Sequence, residues 1–153
     1  MANNPIFQHP WILLILVTFA NAIILKFRVR RYIAEKPELK IGYDRLIRGF
    51  LIWGSLPWAV MGIGATYGGV TKIIDFFNYK STNIYVQLWI STIVVEWILG
   101  FYWIFFRSGA EMLVAHPGIF NMPFQRPRDA KLLYVVSTIG GIFALYMATN
   151  VIK

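Results

Sequence analysis

Cysteine is absent from this chain of 153 residues. Its absence excludes disulfide bonds, thiol catalysis and cysteine-based redox relays. Charge is also scarce, because Asp, Glu, Lys and Arg make up only 14% of the sequence, against roughly 25% in soluble domains. Together with a hydrophobic content of 58%, this composition is typical of a membrane protein.

The motifs of common enzymes are missing as well. The sequence has no glycine-rich phosphate loop, no metalloprotease helix and no recognisable set of nucleophile, base and acid. The two histidines, His9 and His116, fall on opposite membrane faces in the topology derived below, so they cannot bind one metal or haem together. We therefore expect no metal and no cofactor, and the sequence favours a non-enzymatic role.

Four long apolar stretches organise the chain. Each approaches or exceeds the roughly 20 residues that a helix needs to cross about 30 Å of hydrocarbon. Backbone groups in lipid must be paired within the structure, and these stretches lack the alternation of barrel strands, so helices are expected. The sequence thus predicts an all-α, polytopic membrane protein, a four-transmembrane-helix bundle that forms one domain over 1–153. The predicted helices cover 10–28, 48–67, 84–106 and 132–152.

Basic residues are distributed unevenly among the segments between these helices. Eight of the 15 lie between positions 26 and 48, and four more lie between 107 and 131. The other three are Lys72, Lys80 and Lys153, in the second loop and the C-terminal tail. Because cytoplasmic loops carry the excess of Lys and Arg, we expect loops one and three in the cytoplasm and both termini on the opposite side.

The basic first loop is the main charged surface of the chain. It lies close to the membrane at both ends and has no nucleic-acid recognition motif, so we expect no nucleic-acid partner. Lys and Arg near a bilayer attract anionic lipid headgroups by about 1 kcal/mol each, although these charges would also suffice merely to set the topology. The predicted headgroup contacts are Arg28, Arg30, Arg31 and Lys36.

The second apolar stretch contains several features of local structure. Asp44 is a predicted N-cap, since a carboxylate stabilises the positive end of the helix dipole. Pro57 leaves a backbone carbonyl without its helical partner, and a neighbour or Ser55 is expected to satisfy it. Gly62 and Gly64 are interpreted as packing positions.

Glu96 lies near the middle of the third apolar stretch, and no neighbouring stretch contains a basic residue to neutralise it. A charge at the bilayer centre is costly, so such a residue is expected to face the protein interior or a watery cavity. Two hypotheses follow: a protonatable site in a proton or cation pathway, or a permanently neutral side chain that hydrogen-bonds between helices. The polar side chains predicted to accompany it are Asn21, Ser55, Thr92 and Thr138.

The third loop is unusually apolar for a cytoplasmic segment. Ser108 and Glu111 fit a capping box, which predicts a short interfacial helix that begins there and ends before Pro117. The following residues are expected in the headgroup region or across the cytoplasmic mouth of the bundle. His116 either transfers protons near neutral pH or simply bonds the backbone beside a turn. The candidate residues of this loop are His116, Pro117, Phe120 and Phe124.

The fourth apolar stretch has small residues at four-residue spacing. Such spacing lets membrane helices approach closely, so this face is a predicted contact surface. Contact within the same chain is favoured over contact with another copy. The predicted packing residues are Ser137, Gly140, Gly141, Ala144 and Ala148.

Three functional hypotheses follow from these features. The first is a non-enzymatic subunit or scaffold of a membrane complex, which packs through the fourth helix and contacts anionic lipid or a partner through the basic loop. The second is a homo-oligomeric channel or transporter that uses Glu96 for protons or cations. The third is an intramembrane enzyme acting on a lipid-soluble substrate. The expected partners are membrane lipids and other membrane subunits or further copies of this chain.

Overall fold

The structure, a computed structural model, describes residues 9–121 and 123–151. These residues form helices and connecting turns, with no strand in either described range. Four helices are long and apolar enough to cross a membrane, which confirms the predicted all-α fold with four spans. The predicted end of the fourth span, Ile152, lies outside the described residues. The helices are α1 (Pro10–Glu35), α2 (Lys40–Tyr67), α3 (Ile84–Phe106), α4 (Gly109–Ala115) and α5 (Pro127–Asn150), with 3₁₀ turns at Pro37–Leu39 and Ile73–Phe77.

The first two helices extend well beyond their apolar stretches. The turn Pro37–Leu39 leads directly into α2, so α2 begins at Lys40 rather than near position 48. Asp44 therefore lies inside the helix, and the prediction that it is the N-cap was wrong. α1 ends at Glu35, because Pro37 cannot continue a helix and restricts the residue before it.

A short helix, α4, is present in the third loop at the predicted place. The predicted capping box was wrong, because Ser108 has a left-handed backbone with φ 54° and its side chain makes no capping hydrogen bond. Glu111 instead lies 3.7 Å from the Lys131 Nζ. The location of α4 at a membrane interface stays a prediction.

α2 lies between α1 and α3, and α3 in turn packs on α5. α4 and the residues after it pack on α5, on α3 and on the first-loop end of α1 and α2. Near that end, Ala22, Leu25 and Val29 of α1 are buried against Tyr43 and Ile47 of α2. This cluster joins the first two helices.

Glycines on α2 provide the space for close packing. Trp11 of α1 lies against Gly62, where an added Cβ would approach the Trp11 ring to 2.8 Å. Gly64 receives the Phe76 ring and the Cβ of Tyr85 in the same way. The interpretation of Gly62 and Gly64 as packing positions agrees with these contacts.

Burial differs between the four long helices. In the most apolar 18-residue window of α1 and of α2, 22% of the residues are buried, and the value for α3 is 11%. α5 is the least buried of the four, with only Ala130 and Ala148 buried along its length. Large apolar side chains such as Leu16, Ile98 and Phe143 point away from the bundle, as they would toward lipid. The protein is accordingly a membrane-embedded helical bundle.

We expect Gly64→Ala to lower the free energy of unfolding by about 1–3 kcal/mol, because the added methyl group overpacks a filled site. Its Cβ would lie 2.7 Å from the Cε1 of Phe76, a side chain that is only 1% exposed. Gly49→Ala is the matched control, since no atom lies within 4 Å of a Cβ there. Thermal unfolding in detergent micelles measures both variants. Equal stability of the two would contradict the role assigned to Gly64.

Candidate functional site

Glu96 is in the middle of α3 and is half-buried. Its Oε1 atom is buried and has no hydrogen-bond partner among the described residues. An unsatisfied polar atom away from water costs roughly 1–3 kcal/mol, so native structures contain few of them. Glu96 is therefore an exception that hydrogen bonding within the described residues does not explain.

Ser55 of α2 lies at nearly the same height as Glu96. The contact between Gly64 and Tyr85 sets the register of the two antiparallel helices. Ser55 is nine residues from Gly64 and Glu96 is eleven residues from Tyr85. At about 1.5 Å per residue, the two positions differ by roughly 3 Å in height. The Ser55 Oγ is also buried without a partner in the described ranges. Of the two predicted partners for the carbonyl freed by Pro57, a neighbour or Ser55, the Ser55 hydroxyl is therefore not the one.

The other predicted polar neighbours do not join Glu96. The hydroxyl of Thr92 donates to the carbonyl of Leu88, and that of Thr138 donates to the carbonyl of Tyr134, each at 2.9 Å within its own helix. Asn21 is exposed on α1. Of the predicted polar layer, Ser55 is the residue whose height matches that of Glu96 and whose polar atom is likewise unpartnered in the described ranges.

Two polar contacts near this level were not singled out from the sequence. Thr18 is only 7% exposed, and its hydroxyl donates to Leu14 O at 2.9 Å and lies 3.4 Å from Gly54 O. Tyr134 of α5 donates its hydroxyl to the carbonyl of Trp97, the residue after Glu96. The spacing of Thr18 from the buried apolar residues of α1 is a signal that would have placed it on the inner face.

The third loop closes over one end of the bundle through His116. This side chain is buried, and its Nδ1 donates to Met112 O at 2.7 Å. The ring lies against Gly42 and meets the Tyr43 ring edge-on at 4.9 Å between centroids. The Tyr43 hydroxyl donates to Pro117 O at 2.7 Å. These contacts tie the loop to α2.

The two phenylalanines of the same loop contact each other. The Phe120 and Phe124 rings are 5.0 Å apart in an edge-on arrangement. Phe124 packs against the buried cluster of Ile104 and Ala130, whereas Phe120 is 42% exposed. Of these two side chains, Phe120 therefore presents the larger apolar surface outside the bundle.

The residues predicted to contact headgroups differ in whether their charged groups already contact other side chains. Arg30 lies over the Phe27 ring at 4.4 Å, and Arg31 lies over the Tyr32 ring at 4.6 Å. Arg31 also donates to the Tyr32 hydroxyl at 2.6 Å. Among the other two predicted residues, Arg28 is half-buried and Lys36 is exposed.

The small residues of α5 divide into two sets. Gly141 lies against the Trp97 ring and Ala148 is buried, so both face the chain itself. Ser137, Gly140 and Ala144 are exposed, and nothing lies within 4 Å of a Cβ added at Gly140. We call these three residues the outer face of α5. Packing within the same chain was expected of all five small residues, and it is not seen at these three.

Metal binding finds no geometric support in the part of the chain that the structure describes, where no three His, Asp or Glu side chains are grouped to hold an ion. Comparison of the chain with protein-family models, curated proteins and solved structures found no match. Function must therefore be argued from the site itself.

We expect Glu96→Leu to raise the free energy of unfolding by about 1 kcal/mol, because it removes a buried oxygen that lacks a partner. Thr18→Val is the contrasting variant, since it deletes a bonded hydroxyl of similar depth and should cost about 0.6 kcal/mol. Unfolding in detergent micelles measures both. If Glu96→Leu is the more destabilising of the two, the carboxyl is structural and bonds between helices.

Proposed function

We propose that this protein is a non-enzymatic subunit or scaffold of a membrane complex, which docks a helix of another membrane protein on the outer face of α5. In this proposal loops one and three lie in the cytoplasm, and the basic first loop contacts anionic lipid. The observation that carries the proposal is the exposed outer face of α5, where Ser137, Gly140 and Ala144 are not covered by the described residues.

The chemistry of that face supports a helical partner. Membrane helices gain most of their association energy from close packing, which small residues permit. Gly140 is open to approach from outside, and Ser137 adds a hydroxyl. The inner side of α5 is already occupied by Trp97 at Gly141, so the outer face is available without disturbing the fold.

We expect Gly140→Leu with Ala144→Leu to reduce the complex by about tenfold, equivalent to roughly 1.4 kcal/mol of lost packing. The matched control is Gly49→Leu with Ala59→Leu, which adds the same side chains at an open glycine and an exposed alanine of α2. Native electrophoresis of solubilised membranes measures the fraction of complex for each variant.

A photo-crosslinker at position 140 or 144 identifies the partner in the same membranes. A crosslink to a different membrane protein that is absent from the controls at 49 and 59 supports the subunit proposal. A crosslink only to a second copy of this chain indicates self-association instead. An unchanged complex in the α5 variant would contradict docking on the outer face.

A second candidate function rests on Glu96. The buried, unpartnered oxygens of Glu96 and Ser55 belong to residues at nearly the same height on α3 and α2. Such a pair favours a homo-oligomeric proton or cation channel or transporter, because intramembrane carboxyls frequently mark ion pathways.

The carrier candidate predicts proton flux into liposomes under an imposed potential, with flux abolished by Glu96→Gln while the protein stays folded. Gln keeps the size of the side chain but cannot release a proton, so the loss follows from chemistry. Glu38→Gln, at an exposed glutamate outside the long helices, is the control and should conduct normally. Absence of flux through the natural chain would exclude an unassisted pathway.

A further inference from the structure

A groove of about 340 Å³ lies between α1 and α2, near the first loop. Its walls are apolar and include Phe19, Ile23 and Leu51. Two cations and one carboxylate belong to the same groove, namely Lys26, Arg48 and Asp44. An apolar groove with charged residues at one end matches the shape and polarity of a phospholipid.

The contact between Thr18 and Gly54 shows how the charged residues are arranged. Lys26 follows Thr18 by eight residues, while Arg48 and Asp44 precede Gly54 by six and ten. At about 1.5 Å per residue, Lys26 therefore lies between Arg48 and Asp44 in height, roughly 3 Å from each. The three charged residues thus lie within about 6 Å of height at the mouth of the groove.

The apolar wall continues from this level toward the middle of the membrane. Phe19 precedes Lys26 by seven residues, which places it about 10 Å deeper along α1. Ile23 and Leu51 occupy intermediate depths on the two helices. The groove is thus charged at one end and apolar over roughly two helical turns.

The charges at the mouth are free to bind a ligand. Lys26, Arg48 and Asp44 are all exposed. Within the described ranges, ion pairs closer than 4.0 Å join only Arg128 to Asp129 and Lys131 to Glu111. Lys26 and Arg48 therefore differ from Arg30 and Arg31, whose guanidinium groups lie over aromatic rings.

We infer that this groove is a binding site for a monoanionic glycerophospholipid. The phosphodiester lies between Lys26 and Arg48, and one acyl chain follows Phe19, Ile23 and Leu51. Asp44 brings the formal charge of the mouth to +1, which matches a single phosphodiester. The inference deepens the lipid contact in the proposed function, but it places that contact at other residues and does not depend on α5.

Native mass spectrometry of the purified full chain tests the site, with phosphatidylglycerol and phosphatidylcholine of identical acyl chains as probes. We expect Lys26→Gln with Arg48→Gln to weaken phosphatidylglycerol binding by about 25-fold, or about fivefold for each charge. Phosphatidylcholine carries the same phosphodiester beside a choline cation, so its binding should fall by a smaller factor. Lys40→Gln with Arg45→Gln is the matched control, because both are exposed residues outside the groove.

Three results would overturn the inference. The first is equal binding of both lipids to the natural chain, which would remove the role of charge. The second is an equal loss in the groove variant and the matched control, which would indicate general attraction to the basic loop. The third is displacement of phosphatidylglycerol by glycerol 3-phosphate at equal concentration, which would exclude the acyl chain from the site.

Failure of the lipid site can be distinguished from failure of the docking proposal, because the groove variants leave α5 unchanged. Loss of lipid selectivity with an intact complex supports the groove separately from the docking face. The single variants Lys26→Gln and Arg48→Gln provide a second measure, each expected to lose about fivefold. An unchanged lipid preference in both would also overturn the site.

Discussion

Close packing on the glycines of α2 is the constraint on which the rest of the bundle depends. Trp11, Phe76 and His116 come from three different parts of the chain, and each places its ring where an α2 glycine leaves room. A side chain at Gly62, Gly64 or Gly42 would occupy the same space. Since lipid offers no hydrophobic drive for helices to associate, such close contacts are the available source of packing energy. α2 therefore organises its neighbours.

α5 lacks the close packing from several parts of the chain that α2 has. It contacts α3 at Gly141 and Tyr134, and the turn Ile73–Phe77 at Thr149. Its remaining circumference carries exposed apolar side chains such as Ile139. Among the long helices, α2 and α3 each pack mainly against two others, whereas α1 and α5 each pack mainly against one. That difference is why we locate an external partner at α5 and not at α2.

The sequence predicts the helices well because the bilayer restricts the possible backbone structures to very few. It predicts the polar site poorly, because the sequence does not establish how helices that are apolar on every side are rotated. Asn21 was expected inside and is exposed, whereas Thr18, three residues earlier, is buried. The start of α2 was also wrong at Asp44, because a 3₁₀ turn leads into that helix at Lys40. At Ser108 the helix start was predicted, but a left-handed backbone replaces the expected side-chain cap.

Several polar groups near the ends of the bundle are paired, although the indole nitrogens of Trp11 and Trp89, nearer one end, are buried without partners in the described ranges. Asn83 donates to Gly68 O at 2.9 Å, and Lys80 donates to Asn150 at 2.7 Å. At mid-depth, Glu96 and Ser55 keep buried oxygens without partners in the described ranges. Because water is scarce there, an unpaired oxygen costs more at mid-depth than at the ends. The oxygens of Glu96 and Ser55 therefore carry the larger cost among the unpaired atoms of the described residues, and the proposed ion pathway rests on these two oxygens.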